Sequence, residues 1–272
     1  MCTIIALHQV HPEYPLIIAA NRDEYYARPA TGLQVLAAGP PAIVGGYDER
    51  GGGTWMGVTA AGFFAGLTNQ RSAQPGDAGG GPALRSRGEV VLAVLRAGGV
   101  AAADDYLRQL TPGDYGSFNL LYGDGRELRV AYGRRLAAAV EVVDLTAAPG
   151  VMVLANDRLG SPHFPKAARA QARAAALVVP KPPPFPRLVE PLRRILGSHR
   201  LPPLPLSLPD GSMPVLSDGV RRKLQALCIH LPQYGTRSAS VIALRPGKVA
   251  HYLHSAGPPC RAPLVSQTAL IS

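Results

Sequence analysis

Residues Met1–Val10 read MCTIIALHQV, a cysteine at position 2 leading straight into an apolar, β-branched run. This run predicts a strand over Cys2–Leu7. Methionine aminopeptidases remove Met1 when residue 2 is small, and the chain then begins with a thiol and a free α-amine on one residue. The two groups titrate at about 8.5 and about 7.7–8.0, so a nucleophile and a base stand side by side near neutral pH. The alternative is that Cys2 is a small apolar residue of a buried strand.

The second apolar run, Leu16–Ala20, predicts another strand, and it ends in four polar residues, Asn21-Arg22-Asp23-Glu24. If the first two strands pair in antiparallel fashion, the end of the second lies beside the start of the first. Asp23 would then orient the ammonium group of Cys2, and Arg22 would lower the pKa of its thiol. A solvated turn is the other interpretation of the same four residues.

Polar residues also stand at the ends of three later strands. Asn69 follows the apolar run Phe63–Thr68, Asn156 follows Val151–Ala155, and Arg237 precedes a late strand. If the asparagines converge on Cys2, their amides would donate to a developing oxyanion, a role worth about 2.7–4 kcal/mol per donor. Arg237 would bind a substrate carboxylate or stabilise the thiolate. Otherwise all three residues simply belong to turns.

The charge of the chain does not indicate a nucleic-acid partner. There are 28 Lys+Arg against 18 Asp+Glu, a formal net charge of +10. The basic residues are scattered, and the clusters Arg193-Arg194 and Arg221-Arg222-Lys223 fall on amphipathic helical segments, where solvated charge is common. No apolar run approaches the roughly 20 residues that cross a bilayer. We therefore expect no stable membrane insertion and a cytoplasmic protein.

The three cysteines, Cys2, Cys228 and Cys260, are too few and too far apart for a disulfide framework. They also lack the short spacing of a metal-binding pair. The sequence therefore predicts no metal and no cofactor, and it fits a reducing compartment.

The order of the predicted elements favours a single α+β domain over residues 1–272. Strands fill the first seventy residues, a helical pair broken at Gly98-Gly99 follows, and strands return between residues 117 and 155. A helix is predicted from about Pro165 to Leu177. The proline-rich stretch at about 180–214 is interpreted as an extended surface excursion with one short helix near Leu188–Leu196. A helix near Gly219–Ile229 and two strands complete the chain, too little for a second core.

Together these motifs resemble the NRDE family, also called the transport and Golgi organisation protein 2 family, which is named after Asn21-Arg22-Asp23-Glu24. The resemblance is carried by seven blocks: MCTIIA, ANRDEYYARP, GGTWMGV, FFAGLTNQR, GSFNLLYGD, LANDRLGSPHFPK and YGTRSASVIAL. It implies a four-layer αββα sandwich similar to that of the N-terminal nucleophile (Ntn) hydrolases, in particular cysteine amidases such as penicillin V acylase and bile-salt hydrolase.

In those amidases the N-terminal cysteine is the nucleophile, an arginine and an aspartate follow on the next strand, and two asparagines and a late arginine complete the site. The matching catalytic positions are Cys2, Asp23, Asn69, Asn156 and Arg237. Substrate contacts are expected from Arg22, Asn21 and Trp55. One departure is the spacing: the amidases place two residues between arginine and aspartate, whereas Arg22 and Asp23 are adjacent. Arg22 therefore cannot point as the amidase arginine does if Asp23 takes the place of the aspartate.

Two functions follow from this pattern. The first is a cysteine Ntn amidohydrolase of a small non-peptide amide, in which Cys2 attacks and its own α-amine moves the proton. The second is a binding or carrier protein for a hydrophobic small molecule, such as acyl-CoA, a lipid or haem, on the same scaffold. The nearby arginines predict that the thiolate of Cys2 is favoured.

Overall fold

Two antiparallel β-sheets lie face to face in the computed structural model, which describes residues 2–70, 84–203 and 216–271. Sheet A has six strands, in the spatial order β10 (Gly150–Leu154), β1 (Thr3–His8), β2 (Leu16–Tyr25), β11 (Tyr234–Arg245), β12 (Lys248–Ser255) and β13 (Val265–Ser266). Sheet B has seven, in the order β3 (Ala30–Ala37), β4 (Ile43–Asp48), β5 (Met56–Thr59), β6 (Phe64–Asn69), β7 (Phe118–Gly123), β8 (Leu128–Gly133) and β9 (Glu141–Asp144).

Helices cover the outer face of each sheet. Helices α1 (Arg87–Ala97) and α2 (Val100–Gln109) pack on sheet B, and α3 (Pro165–Ala175) and α4 (Phe185–Leu196) pack on sheet A. A shorter helix, α5, spans Asp218–Lys223, and 3₁₀ turns span Pro112–Asp114 and Thr268–Leu270. Three apolar clusters fill the three interfaces between the layers. The predicted four-layer αββα sandwich is confirmed.

The alternation of side chains along β1 and β2 places the candidate site. In both strands, even-numbered residues face sheet B and odd-numbered residues face α3 and α4. The even set includes Ile4 and Ile18, and the odd set includes Ile5 and Ile17. The same alternation, continued to the strand ends, directs Cys2 and Arg22 between the sheets and Asn21 and Asp23 towards the helical layer.

The structure corrects three elements of the sequence interpretation. Strand β3 is missing from the predicted set because it lies at the edge of sheet B with no buried residue, so it carries no apolar periodicity. Helix α5 is shorter than the helix predicted at Gly219–Ile229, and residues after Lys223 run on as turns. Residues 185–196 form no surface excursion, because α4 buries Leu188 and Leu192 completely against sheet A.

The rest of the proline-rich stretch is described only in part, since residues 204–215 lie outside the described ranges. The single-domain organisation of residues 1–272 stays a prediction. Among the residues that the structure describes, no helix has the length and apolar character needed to span a membrane.

Candidate active site

A cavity of about 510 Å³ lies at the start of β1, between residues of both sheets and the N-terminus of α1. Five of the eight predicted site residues line it: Cys2, Arg22, Asp23, Trp55 and Asn69. The guanidinium carbon of Arg22 lies 4.2 Å from the centre of the Trp55 ring, which places a cation over an aromatic face. The ring lies so close to Gly46 that an added Cβ there would come within 2.1 Å of it, so this glycine makes room for Trp55.

The four residues of the NRDE motif divide between the two faces of β2. Arg22 and Glu24 line the cavity. Asn21 faces the helices, where its Nδ2 donates to the carbonyl oxygens of Leu196 at 3.0 Å and Leu227 at 2.9 Å. The predicted substrate contact of Asn21 is therefore replaced by a structural one, because the period of two in a strand turns its side chain away from Arg22.

Cys2 lies beside Arg22 in the wall of this cavity. The register of β1 on β2 pairs Thr3 with Asn21, so one further step places Cys2 opposite Arg22. Burial raises the pKa of the Cys2 thiol, and the Asp23 carboxylate adds to the rise, whereas a backbone hydrogen bond from Asp23 and the charge of Arg22 oppose it. The expectation of a favoured thiolate is wrong in direction, because desolvation outweighs the neighbouring arginine.

Asp23 is a buried carboxylate held by β11 and α3. Thr236 Oγ1 donates to Asp23 Oδ1 at 2.6 Å, and the Tyr234 hydroxyl donates to the Asp23 carbonyl at 2.9 Å. Burial raises the pKa of Asp23, and the positive charge of Lys166, which is itself fully buried, opposes that rise. Asp23 and Lys166 are therefore both buried on the helical side of β2, where the charge of Lys166 favours the ionised form of Asp23.

Sequence reasoning overlooked Lys166, although it lies in the quoted block LANDRLGSPHFPK. It shares the buried face of α3 with Ala170 and Ala174, at intervals of four residues. A lysine on the core face of a helix needs a compensating charge. That spacing is the signal that could have identified it.

The two asparagines have different positions. Asn69 lines the cavity at the end of β6, whereas Asn156 is fully buried and its Nδ2 donates to the Asn69 carbonyl at 2.8 Å. Asn119, a further residue absent from the predicted site, donates from its Nδ2 to Thr68 Oγ1 at 3.0 Å and to the Ala155 carbonyl at 3.2 Å. Asn156 and Asn119 thus connect the end of β6 to the residues after β10, and they position Asn69.

We expect Asn156→Ala to lower the free energy of unfolding by about 1–3 kcal/mol, because the fully buried Asn156 side chain is lost together with its hydrogen bond to the Asn69 carbonyl. Asn69→Ala is the matched control: its side chain lies at the cavity wall, and the expected change is about 0.5 kcal/mol or less. Urea denaturation of both variants measures the difference. Equal losses would show that Asn156 has no special structural role.

Arg237 lies apart from the cavity, at a register shift of β11 between Thr236 and Ser238. Its guanidinium donates to the carbonyl oxygens of Tyr25 at 3.0 Å and Tyr26 at 2.9 Å, and so closes the turn after β2. Arg237 therefore lies within β11 rather than in a surface turn, and its predicted contact with a substrate carboxylate or with the thiolate stays a prediction. The bulge shifts the alternation of β11 by one residue and turns Arg237 outward.

Comparisons with known proteins agree with the fold and with the sequence motifs. The family described as "TANGO2: Transport and Golgi organisation 2" matches residues 1–255. The "Transport and Golgi organization protein 2 homolog" of Bos taurus is 30% identical over 267 residues, covering 89% of this chain and 88% of the relative. The Homo sapiens homolog is 30% identical over 268 residues, with the same coverage of 89% and 88%.

Among solved structures, a mutant conjugated bile acid hydrolase from Clostridium perfringens superposes with a TM-score of 0.58 at 10% identity, covering 100% of this chain and 94% of that chain. A second variant of that hydrolase gives a TM-score of 0.59 at 11% identity, with coverage of 100% and 94%. At such low identity the likeness shows the fold alone, an Ntn-hydrolase-like sandwich. The family match over residues 1–255 carries the assignment, and the chain belongs to the Transport and Golgi organisation 2 family.

Proposed function

We propose that the protein is a cysteine Ntn amidohydrolase that cleaves a small non-peptide amide carrying a negative charge. The observation that carries the proposal is the position of Cys2 in a cavity shared with Arg22, Asp23 and Asn69. This grouping supplies a nucleophile, a cation and an amide donor around one open space, and Asp23 supplies a carboxylate from the helical side of the same strand.

The proposed reaction uses the chain that begins at Cys2. Burial raises the pKa of the thiol, so the reaction includes removal of the thiol proton during the attack. The α-amine of Cys2 takes that proton as the sulfur bonds to the carbonyl carbon, and Asn69 donates to the oxyanion. The proton then passes to the departing amine as the C–N bond breaks. Water adds to the thioester in the same way and releases the acid.

Asp23 orients the α-amine in this scheme. Its carboxylate is held by Thr236 on one oxygen and opposed by the charge of Lys166, so its position is fixed before substrate binds. A fixed carboxylate next to the amine keeps the lone pair directed at the thiol. Met1 would place an amide nitrogen where this base is needed, so the proposal requires its removal.

The charge of the cavity supports an anionic substrate. Five arginines and four carboxylates line it: Arg22, Arg28, Arg50, Arg85 and Arg87, with Asp23, Glu24, Asp48 and Glu89. Arg28 pairs with Asp48 at 2.6 Å and Arg85 pairs with Glu89 at 2.9 Å. Because the charge of Lys166 acts on the Asp23 carboxylate, the net charge of the remaining side chains of the lining is positive. Guanidinium groups bind carboxylate or phosphate through two parallel hydrogen bonds.

The same lining disfavours the carrier alternative. Large apolar side chains in it are limited to Trp55, Leu67 and Leu84 within the described residues, and Trp55 is covered by Arg22. A cavity for a hydrophobic ligand is lined mainly by apolar groups, which this one is not.

The test is a panel of N-acyl amides, each offered as the free carboxylate and as its neutral methyl ester. We expect kcat/KM to be about 10–100-fold higher for the carboxylates, the value of one or two hydrogen bonds to a charged group. Arg50→Gln should remove most of this preference by raising KM for the anions. The matched control is Arg96→Gln, which changes an exposed arginine of α1 outside the cavity. The proposal would be contradicted if the amide bond were cleaved faster in the methyl esters than in the carboxylates. It would also be contradicted if no amide of the panel were hydrolysed.

A further inference from the structure

Four metal-binding side chains converge at the end of the helical layer, outside the cavity described above. They are His199, Cys228, His230 and Cys260, and their ligand atoms all lie within 4.8 Å of one another. His199 follows α4, Cys228 and His230 precede β11, and Cys260 lies in the loop after β12. The spacing of the cysteines along the chain gave no sign of this group, because its members come from three separate segments.

The three distances that join Cys228, His230 and Cys260 are close to those of a tetrahedral zinc centre. Bond lengths of about 2.3 Å to sulfur and about 2.0–2.1 Å to nitrogen place two ligand sulfurs about 3.8 Å apart, and a sulfur and a nitrogen about 3.6 Å apart. Here Cys228 Sγ lies 3.5 Å from Cys260 Sγ. His230 Nε2 lies 3.6 Å from Cys228 Sγ and 3.3 Å from Cys260 Sγ.

The fourth member, His199, is oriented by a backbone carbonyl. His199 Nδ1 lies 3.1 Å from the Cys228 carbonyl oxygen, to which it donates as the protonated ring nitrogen. This bond leaves the other nitrogen, Nε2, as the ligand. A backbone carbonyl that fixes the tautomer of a ligating histidine is a common feature of zinc sites. The rings of His199 and His230 have their centres 5.1 Å apart, and each offers a nitrogen within 4.8 Å of the other ligand atoms.

We propose that His199, Cys228, His230 and Cys260 bind one Zn²⁺ as a structural site. Two thiolates and two imidazoles suit this borderline-soft ion, and four protein ligands leave no open position for catalysis. Binding releases the two thiol protons, so the ion and its ligands are neutral overall.

Zinc at this point would support the candidate active site without taking part in it. The Leu227 carbonyl accepts from Asn21, and Ile229 N–H donates to Thr236 Oγ1, the group that holds Asp23. Both residues are neighbours of Cys228. A metal that links this segment to α4 and to the loop after β12 would restrain the residues that hold Asn21 and Thr236 in place.

The test is metal analysis of the reduced, full-length protein after exposure to excess Zn²⁺ and gel filtration. We expect about one zinc per chain and a higher melting temperature than for the chelator-treated protein. Titration with Co²⁺ should give the visible absorption of a tetrahedral centre together with thiolate-to-cobalt charge transfer. Cys260→Ser and His199→Gln change two partly or well exposed ligands and should each lose most of the bound metal and the rise in melting temperature.

Cys2→Ser is the matched control, because it removes a cysteine outside the group and should retain about one zinc per chain. A folded, reduced protein without zinc or the cobalt spectrum overturns the proposal. So does zinc that is retained by both ligand variants. A Cys228–Cys260 disulfide in place of metal would overturn it too, although the sulfurs would have to approach from 3.5 Å to about 2.05 Å.

Discussion

Replacing Cys2 by alanine should reduce amide hydrolysis by at least about 10⁴-fold, the scale of loss when an enzyme's nucleophile is removed. The substitution deletes only the sulfur from a residue that faces the cavity, so the free energy of unfolding should change by about 1 kcal/mol or less. Initial rates on the best amide of the panel, together with urea denaturation, measure the two quantities.

Cys2→Ser is the matched control for shape. Its hydroxyl is a weaker nucleophile in the same place, and we expect slow but measurable turnover, with an ester in place of the thioester intermediate. Full activity in Cys2→Ala would show that Cys2 is not the nucleophile. Loss of activity accompanied by unfolding would instead make Cys2 a core residue, the alternative that the sequence left open.

The second large effect concerns stability. Asp23→Ala should lower the free energy of unfolding by about 1–3 kcal/mol, because the buried hydroxyl of Thr236 loses the carboxylate that accepts from it. The loss should be smaller in the double variant Asp23→Ala/Lys166→Met, since the buried lysine charge is removed as well. Urea denaturation of the two single variants and the double variant measures the coupling. Additive losses would show that the two charges do not stabilise each other.

The pH dependence gives an independent check on Asp23. Burial raises its pKa in the folded state above the ordinary value of 3.8. The folded chain therefore holds this proton more tightly than the unfolded chain, and its contribution to stability is fully present below pH 3.8 and is lost as pH rises through the folded-state pKa. The stability of the unchanged protein relative to Asp23→Asn should fall over that window. A difference that rises with pH would mean that the pKa is lowered.

Much of the layered fold follows from apolar periodicity. The runs at Cys2–Leu7 and Leu16–Ala20 are recognisable as strands because both of their faces are buried, one against sheet B and one against the helices. Strand β3 lacks that signal because it is a partly exposed edge strand. The sequence also predicts a helix close to the position of α4. Its prolines suggest an exposed segment, but a proline at the start of a helix is compatible with a buried face.

Most residues of the candidate site can be predicted from the sequence, whereas the directions of several of their side chains cannot. Strand alternation alone separates Arg22, which reaches the cavity, from Asn21, which bonds to backbone carbonyls behind it. A bulge in β11 turns Arg237 away, and a register shift of this kind has no mark in the sequence. Asn156 ends a strand as expected, but its partner is the Asn69 carbonyl, a long-range contact that no local pattern specifies.

The most direct measurement uses one protein in two forms. The chain is produced with an N-terminal extension that a specific protease removes immediately before Cys2, so that the sequences differ only in whether the Cys2 nitrogen is an amide or a free amine. Both forms are incubated with the best amide, quenched in acid and mapped by peptide mass spectrometry. We expect an acyl group on Cys2, and turnover, only after cleavage. Equal acylation and turnover in the uncleaved form, or no acylation of Cys2 in the cleaved form, would contradict it.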